Sequence, residues 1–183
     1  MSTALRLTAE EYDRMIANGA FVGIHRHIEL IRGELREMSP AGPTHEDYVD
    51  FLNRWSTSVT TSKDCVVRVQ SSIDMGDSRP EPDVTWLKPG RYSVQRPTAQ
   101  EVLLLIEVAD TSLTTDLHEK AELYAACGVP EYWVVDVASR CLHVFAEPSG
   151  STFKTHRTVS ATETISPRCA PAALLNASEL FIE

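Results

Sequence analysis

Hydrophobic and polar positions alternate along the chain with two periods, and the changes between them outline the elements. In "TAEEYDRMIANG" (8–19) the apolar positions recur at helical spacing, with Thr8 as N-cap, Glu11 three residues on and Gly19 as a stop. "HIELIRGELREMSP" then holds two short runs around Arg32-Gly33, a β-hairpin pattern ending at Pro40. "THEDYVDFLNRWSTSV" (44–59) places Tyr48, Phe51, Leu52 and Trp55 on one helical face, with Thr44 as the candidate cap. "CVVRVQSSIDM" and "PDVTWL" read as strands, the second launched by the proline-rich "RPEP". After the loop-like "GRYSVQRPTAQ" comes "EVLLLIEVA", too apolar to leave one face in water.

Asp116 with Glu119 has the spacing of a cap opening the next helix, which should stop at Gly128 with Pro130 beyond. "EYWVVDV" and "CLHVFAE" form a hairpin around "ASR", "TFKTHRTV" adds a strand, and the tail "PAALLNASELFIE" is amphipathic enough to dock. The order contains a strand–helix–strand crossover. The expected fold class is therefore α/β (mixed α+β), with a central mixed sheet flanked by helices. No repeat or linker divides the sequence, and 183 residues suffice for one domain spanning 1–183.

One position breaks the pattern. With period two, Val102, Leu104, Ile106 and Val108 share a face, and Leu103, Leu105, Glu107 and Ala109 share the other. Glu107 thus lies near the carboxyl end of an otherwise apolar strand, where ligand sites of α/β sheets gather. An ionised carboxylate there must be paired, protonated or bound to a metal, and a structural salt bridge is the plain alternative.

Asp83, at the start of the "PDVTWL" strand, is either turn chemistry or the partner of Glu107 in an oxygen-rich pocket suited to Mg²⁺. Lys120 lies one turn into the helix after Glu107, with Tyr124 on the same face at i+4. It either reaches back to the strand end or pairs in solvent with Glu119, Glu122 or Asp116. Glu34 and His45 are weaker candidates, an acid on the hairpin and a histidine in a helical first turn.

Composition changes the picture in three ways. The formal charge of −9 argues against a protein that coats nucleic-acid backbones, yet leaves room for a nuclease whose metal ions neutralise acids locally. No apolar run is long enough to span a membrane, and the N-terminus lacks the pattern of a signal peptide. Cys65, Cys127, Cys141 and Cys169 show no ligand-like spacing, so reduced thiols in the cytoplasm are expected.

Taken in order, "IELIRGELREMSPAGPTHEDYV", "VQSSIDMGD", "EPDVTW" and "LLLIEVADTSLTTDLHEKAELYAACGVPEYWVVDV" resemble the bacterial Uma-type family of restriction endonucleases, within the PD-(D/E)XK nuclease superfamily. The resemblance spans about residues 25 to 147. It implies a restriction-endonuclease-like fold and metal-dependent hydrolysis of DNA phosphodiesters, with Mg²⁺ or Mn²⁺ as cofactor.

Carried over by position, it puts the "PD" on Pro82-Asp83, the second acid on Glu107, an early acid on Glu34 and a recurrent histidine on His45. Gln70 also matches, without an assigned role. Ala109 stands where the superfamily has its lysine. The resemblance implies that Lys120 supplies the amine from the following helix, that Asp83, Glu107 and Glu34 hold the metal, and that Asp83, Glu107, Lys120, Glu34 and His45 form the catalytic set. A homodimer would meet the two cuts that a duplex requires. The competing reading is a nuclease-fold protein without activity, kept as a binding or assembly module. Arg68, Arg79, Lys88, Arg91 and Arg96 are the expected phosphate contacts.

Overall fold

In the computed structural model, the described residues are 5–24, 27–38 and 42–181. The first helix, α1 (Ala9–Ala17), opens on Thr8 with the expected reciprocal cap to Glu11. Strands β1 (Ile28–Ile31) and β2 (Glu34–Glu37) pair antiparallel across Arg32 and Gly33. Those two residues have φ of 49° and 80°, the left-handed pair that a tight two-residue hairpin needs. Pro40, the expected stop, lies outside the described residues. Helix α2 (Pro43–Val59) begins one residue before the expected cap, with Gly42 at the N-cap and Pro43 in the first turn in place of a Thr44 cap.

The centre is a six-stranded mixed sheet in the order β3 (Val66–Val69), β4 (Val84–Leu87), β5 (Val102–Ala109), β6 (Glu131–Asp136), β7 (Cys141–Ser149) and β8 (Thr152–Ser160). Only β5 and β6 run parallel within it; the connection between them carries α3 (Leu113–Thr115), a π-helical turn (Asp116–Lys120) and α4 (Ala121–Ala126). This is the expected crossover, and Gly128 at φ 80° ends it. β9 (Thr164–Ile165) and β10 (Leu175–Asn176) pair separately, followed by α5 (Ala177–Leu180).

Each face of the sheet has its own apolar layer. On one side α2 and the C-terminal segment cover Val84, Trp86, Leu104, Ile106, Val108, Trp133 and Val135. On the other, α4 and Ile31, Ile73 and Met75 cover Leu105, Ala109, Tyr132 and Val134. The alternation along β5 holds from Leu104 onward. It fails at Val102, which faces the α4 side, because the β4–β5 register shifts between Trp86 and Leu87 and leaves Leu103 as the extra residue.

The buried indoles are hydrogen-bonded: Trp86 Nε1 donates to Ser56 Oγ at 2.8 Å, and Trp133 Nε1 to Glu131 Oε1 at 2.8 Å. Ser56→Ala should therefore strand the Trp86 N–H in the core and cost about 1–3 kcal/mol, to be read from denaturant unfolding. Among the described residues no helix is long and apolar enough to cross a membrane.

Candidate active site

At the carboxyl end of β5 a cleft of about 600 Å³ opens between β1–β2, the start of α2 and the β5–β6 crossover. Glu107 and Asp83 are each 3 % exposed on its floor. Residue 107 faces the crossover because it belongs to the β5 face that carries Leu105 and Ala109.

The crossover brings Lys120 to Glu107. Its Nζ lies 3.0 Å from Glu107 Oε1, 3.7 Å from Asp116 Oδ1 and 4.0 Å from Glu29 Oε1. The Tyr124 hydroxyl donates to the same Glu107 Oε1 at 2.8 Å. Residues 116, 120 and 124 are all buried, because i+4 steps along a helix keep them on one face turned towards the sheet. Asp116 does not cap this helix. The helical segment starts at Leu113, and Asp116 is buried within it, accepting from Ser112 Oγ at 2.5 Å. The capping spacing of Asp116 and Glu119 is shared by residues one turn further in, and burial selects the latter here.

Asp83 sits just ahead of β4 and is clamped three ways. Val108 N–H donates to Oδ2 at 2.8 Å, His45 Nε2 lies 3.1 Å from the same oxygen, and Gln70 Nε2 donates to Oδ1 at 3.3 Å. Gln70 holds this position at φ 43°, an uncommon conformation for a residue with a β-carbon and one that gathers at functional sites. His45 is raised above its ordinary value, chiefly by the hydrogen bond to Asp83 against the opposing effect of burial.

Charge in the cleft is unbalanced. Nine carboxylates line it (Glu29, Glu37, Glu46, Glu81, Asp83, Glu107, Asp110, Asp116, Glu119) against the two full cations Arg36 and Lys120. Burial pushes Glu107 up to about 8, with Asp116, Asp83 and Glu29 adding to the rise and Lys120 opposing it. Asp116 is raised for the same first reason. Burial pulls the Lys120 ammonium down, but Glu107, Glu29 and Asp116 together hold it above its ordinary value, so it stays charged. Asp116 Oδ1 is a buried acceptor with no hydrogen-bond partner among the described residues. An all-oxygen donor set with surplus negative charge and an orphaned carboxylate oxygen fits a hard divalent cation such as Mg²⁺ or Mn²⁺.

A pH dependence follows. Folded Glu107 keeps its proton up to about 8, whereas an unfolded glutamate loses it near 4.5, so the folded state binds more protons between those values. Stability of the metal-free protein should fall as pH rises through that window and level off above it. Thermal unfolding of wild type and Glu107→Gln checks this: the variant should lose that part of the slope.

Four of the five catalytic residues expected from the sequence meet at this cleft: Asp83, Glu107, Lys120 and His45. Glu34 does not line it. Its carboxylate pairs with Arg6 at 3.0 Å and with Arg36 at 2.8 Å, and it reaches the rim only through Arg36, which also binds Glu119. Glu29, on the neighbouring strand and 6 % exposed, lines the cleft in its place. A signal for it existed: in "IELI" the acid is flanked by apolar residues, as Glu107 is.

The expected phosphate contacts are also revised. Arg79 is 6 % exposed and held by Asp13 and Asp74, Arg96 pairs with Asp13 at 2.6 Å, and none of Arg68, Arg79, Lys88, Arg91 or Arg96 lines the cleft.

A six-stranded mixed sheet with helices on both faces, carrying buried acids and a lysine at one strand end, agrees with the expected restriction-endonuclease-like architecture. It matches, with a TM-score of 0.77, a crystal structure from Anabaena variabilis described as a "putative nuclease" of DUF820, covering 96% of this chain and 97% of that one at 15% identity. At the level of sequence, residues 9–177 match the Uma2 family, described as "putative restriction endonuclease", and the chain belongs to that family. A comparison with curated proteins finds no match.

Proposed function

We propose that the protein is a metal-dependent endonuclease that hydrolyses DNA phosphodiesters in the cytoplasm, with Asp83, Glu107 and Glu29 as the acids that hold Mg²⁺ or Mn²⁺. The observation that carries this reading is the charge imbalance of the cleft. Nine acidic side chains line the cleft against two full cations, and even with Glu107 and Asp116 protonated the surplus would repel a DNA backbone; divalent cations are the physical means of reversing that field. When bound, the metal would lower the pKa of an attacking water and screen charge on the phosphoryl oxygens.

The protein's own groups prepare the rest. Lys120 and Tyr124 both engage Oε1 of Glu107 and so fix the plane of its carboxylate. The Val108 amide, Gln70 and His45 fix Asp83. The Lys120 ammonium orients the water that attacks phosphorus and stands beside the oxygens on which negative charge grows. As the water oxygen bonds to phosphorus it gives up a proton to solvent, the bond from phosphorus to the leaving oxygen breaks, and that oxygen takes up a proton. Arg36, which also lines the cleft, is suited to a flanking phosphate.

The alternative, an inactive binding module, draws on one observation: Arg36, Arg79 and Arg96 are all engaged with acids of the same chain. The two readings separate in a cleavage assay on supercoiled plasmid and single-stranded DNA. Wild type should nick with Mg²⁺ or Mn²⁺ and stop on chelation, and Asp83→Ala should be inactive. Binding of DNA without nicking would favour the module, and equal nicking by Asp83→Ala would remove Asp83 from the active site.

A further inference from the structure

We propose that Asp136, Cys141 and His143 form a second cation site, of different chemistry from the cleft, that takes Zn²⁺ or a similarly thiophilic divalent metal. The three ligand atoms lie within 4.8 Å of one another, on the last residue of β6 and the first turn-proximal residues of β7. Strand register brings them together. Asp136 pairs directly with Cys141, and His143 is two residues along, so all three side chains share one face of the sheet.

Their separations are informative. His143 Nε2 is 3.7 Å from Asp136 Oδ2 and 3.9 Å from Cys141 Sγ. The first is too long for a hydrogen bond and the second makes only a weak one. Two ligands of one tetrahedral zinc, with bonds of about 2.0–2.3 Å, lie roughly 3.3–3.6 Å apart. The gap among the three atoms is thus close to the size of a cation, and small side-chain rotations would close it.

The surrounding bonds leave the ligand atoms free. Asp136 is 3 % exposed, and its other oxygen, Oδ1, accepts from the Ser139 amide at 2.9 Å, which fixes the carboxylate with Oδ2 facing the histidine. His143 Nδ1 lies 3.2 Å from His156 Nε2, and the His156 ring is stacked on Phe145 at 4.1 Å and 7°. When His143 donates from Nδ1 to His156, its Nε2 lone pair faces Cys141 and Asp136. This is the outer-partner arrangement that metal-bound histidines use.

A thiolate, an imidazole and a carboxylate with a fourth position open is a zinc set, whereas the cleft offers carboxylate oxygens and suits Mg²⁺. On binding, the Cys141 thiol gives up its proton to solvent and the sulfur takes the metal. Because Glu107 is in register with Val134 and Val134 with His143, the second metal would sit on the same sheet face about 10 Å away, two strand spacings.

The test is optical and does not depend on cleavage, so it stands apart from the nuclease reading. Co²⁺ is titrated into the reduced, metal-stripped full chain. Wild type should take up one equivalent with a thiolate-to-cobalt charge-transfer band, which one equivalent of Zn²⁺ displaces. Cys141→Ser should lose the band, Glu107→Gln should keep it, and His156→Phe should weaken Co²⁺ binding by roughly 10–100-fold. In unaltered wild type, Zn²⁺ should also protect Cys141 from alkylation, read by peptide mass spectrometry. A wild type without the band, a band that survives in folded Cys141→Ser, or alkylation of Cys141 at the same rate with and without Zn²⁺ would overturn the proposal.

Discussion

Replacing Lys120 by alanine is expected to cost about 3–5 kcal/mol of stability above the value of about 8 that burial gives Glu107, and to slow DNA cleavage by about 10²–10³-fold. Both effects have one origin. The Lys120 ammonium is the cation buried against Glu107, Asp116 and Glu29, with its side chain 8 % exposed. Removing one partner of a buried pair leaves charge without compensation, and alanine cannot restore the bond to Glu107 Oε1. At lower pH Glu107 can take up a proton instead, so the stability loss should shrink towards pH 5. Lys120→Arg separates the two roles: charge and much of the stability return, but a planar guanidinium in place of a compact ammonium should leave cleavage impaired. Denaturant unfolding across pH, run beside a plasmid assay, checks the pair of effects.

Glu107→Gln should do the opposite to stability and the same to activity. At neutral pH the metal-free Glu107 already carries a proton, so glutamine resembles the state present, and its carbonyl can still accept from Lys120 and Tyr124. The fold should survive, and a variant matched to wild type near pH 5 should gain on it as pH rises towards about 8 and keep a level advantage above. Metal affinity should fall by more than the roughly 10–100-fold seen when only an outer partner is lost. Cleavage should fall by about 10³-fold, since metal stabilisation of the transition state is worth several kcal/mol. A variant that folds normally yet keeps wild-type cleavage would remove Glu107 from the proposed metal set.

What the sequence revealed of this site was whatever depended on local period. Glu107 stood out because a carboxylate interrupts an apolar strand, and the crossover after it followed from the helical run between two strands and from Gly128 and Pro130 at its end. The features that were not legible depend on partners far away in the chain. The shift that turns Val102 to the other face exists only against β4. Arg79 resembled a free phosphate contact until Asp13, 66 residues away, is seen to hold it.

Asp116 shares its spacing with a helix cap, and only burial against Lys120 tells the two apart. Glu34 and Glu29 stand on opposite strands of one hairpin and share its face, so their period does not separate them, and the contact of Leu30 with Arg79 that seats the hairpin against the chain beyond β3 cannot be read from either strand alone. The Asp136, Cys141 and His143 group is likewise assembled across a turn, in a spacing that matches no linear metal motif.

The most direct measurement is a titration of Mn²⁺ into the metal-stripped protein at pH 8, following free Mn²⁺ by electron paramagnetic resonance, in a Cys141→Ser background so that the cleft alone is counted. The parent should bind Mn²⁺ and release protons as it does so, and adding Asp83→Ala or Glu107→Gln should abolish that binding while circular dichroism stays unchanged. A folded parent that takes up no Mn²⁺, or variants that bind it as the parent does, would contradict a metal site built on Asp83 and Glu107.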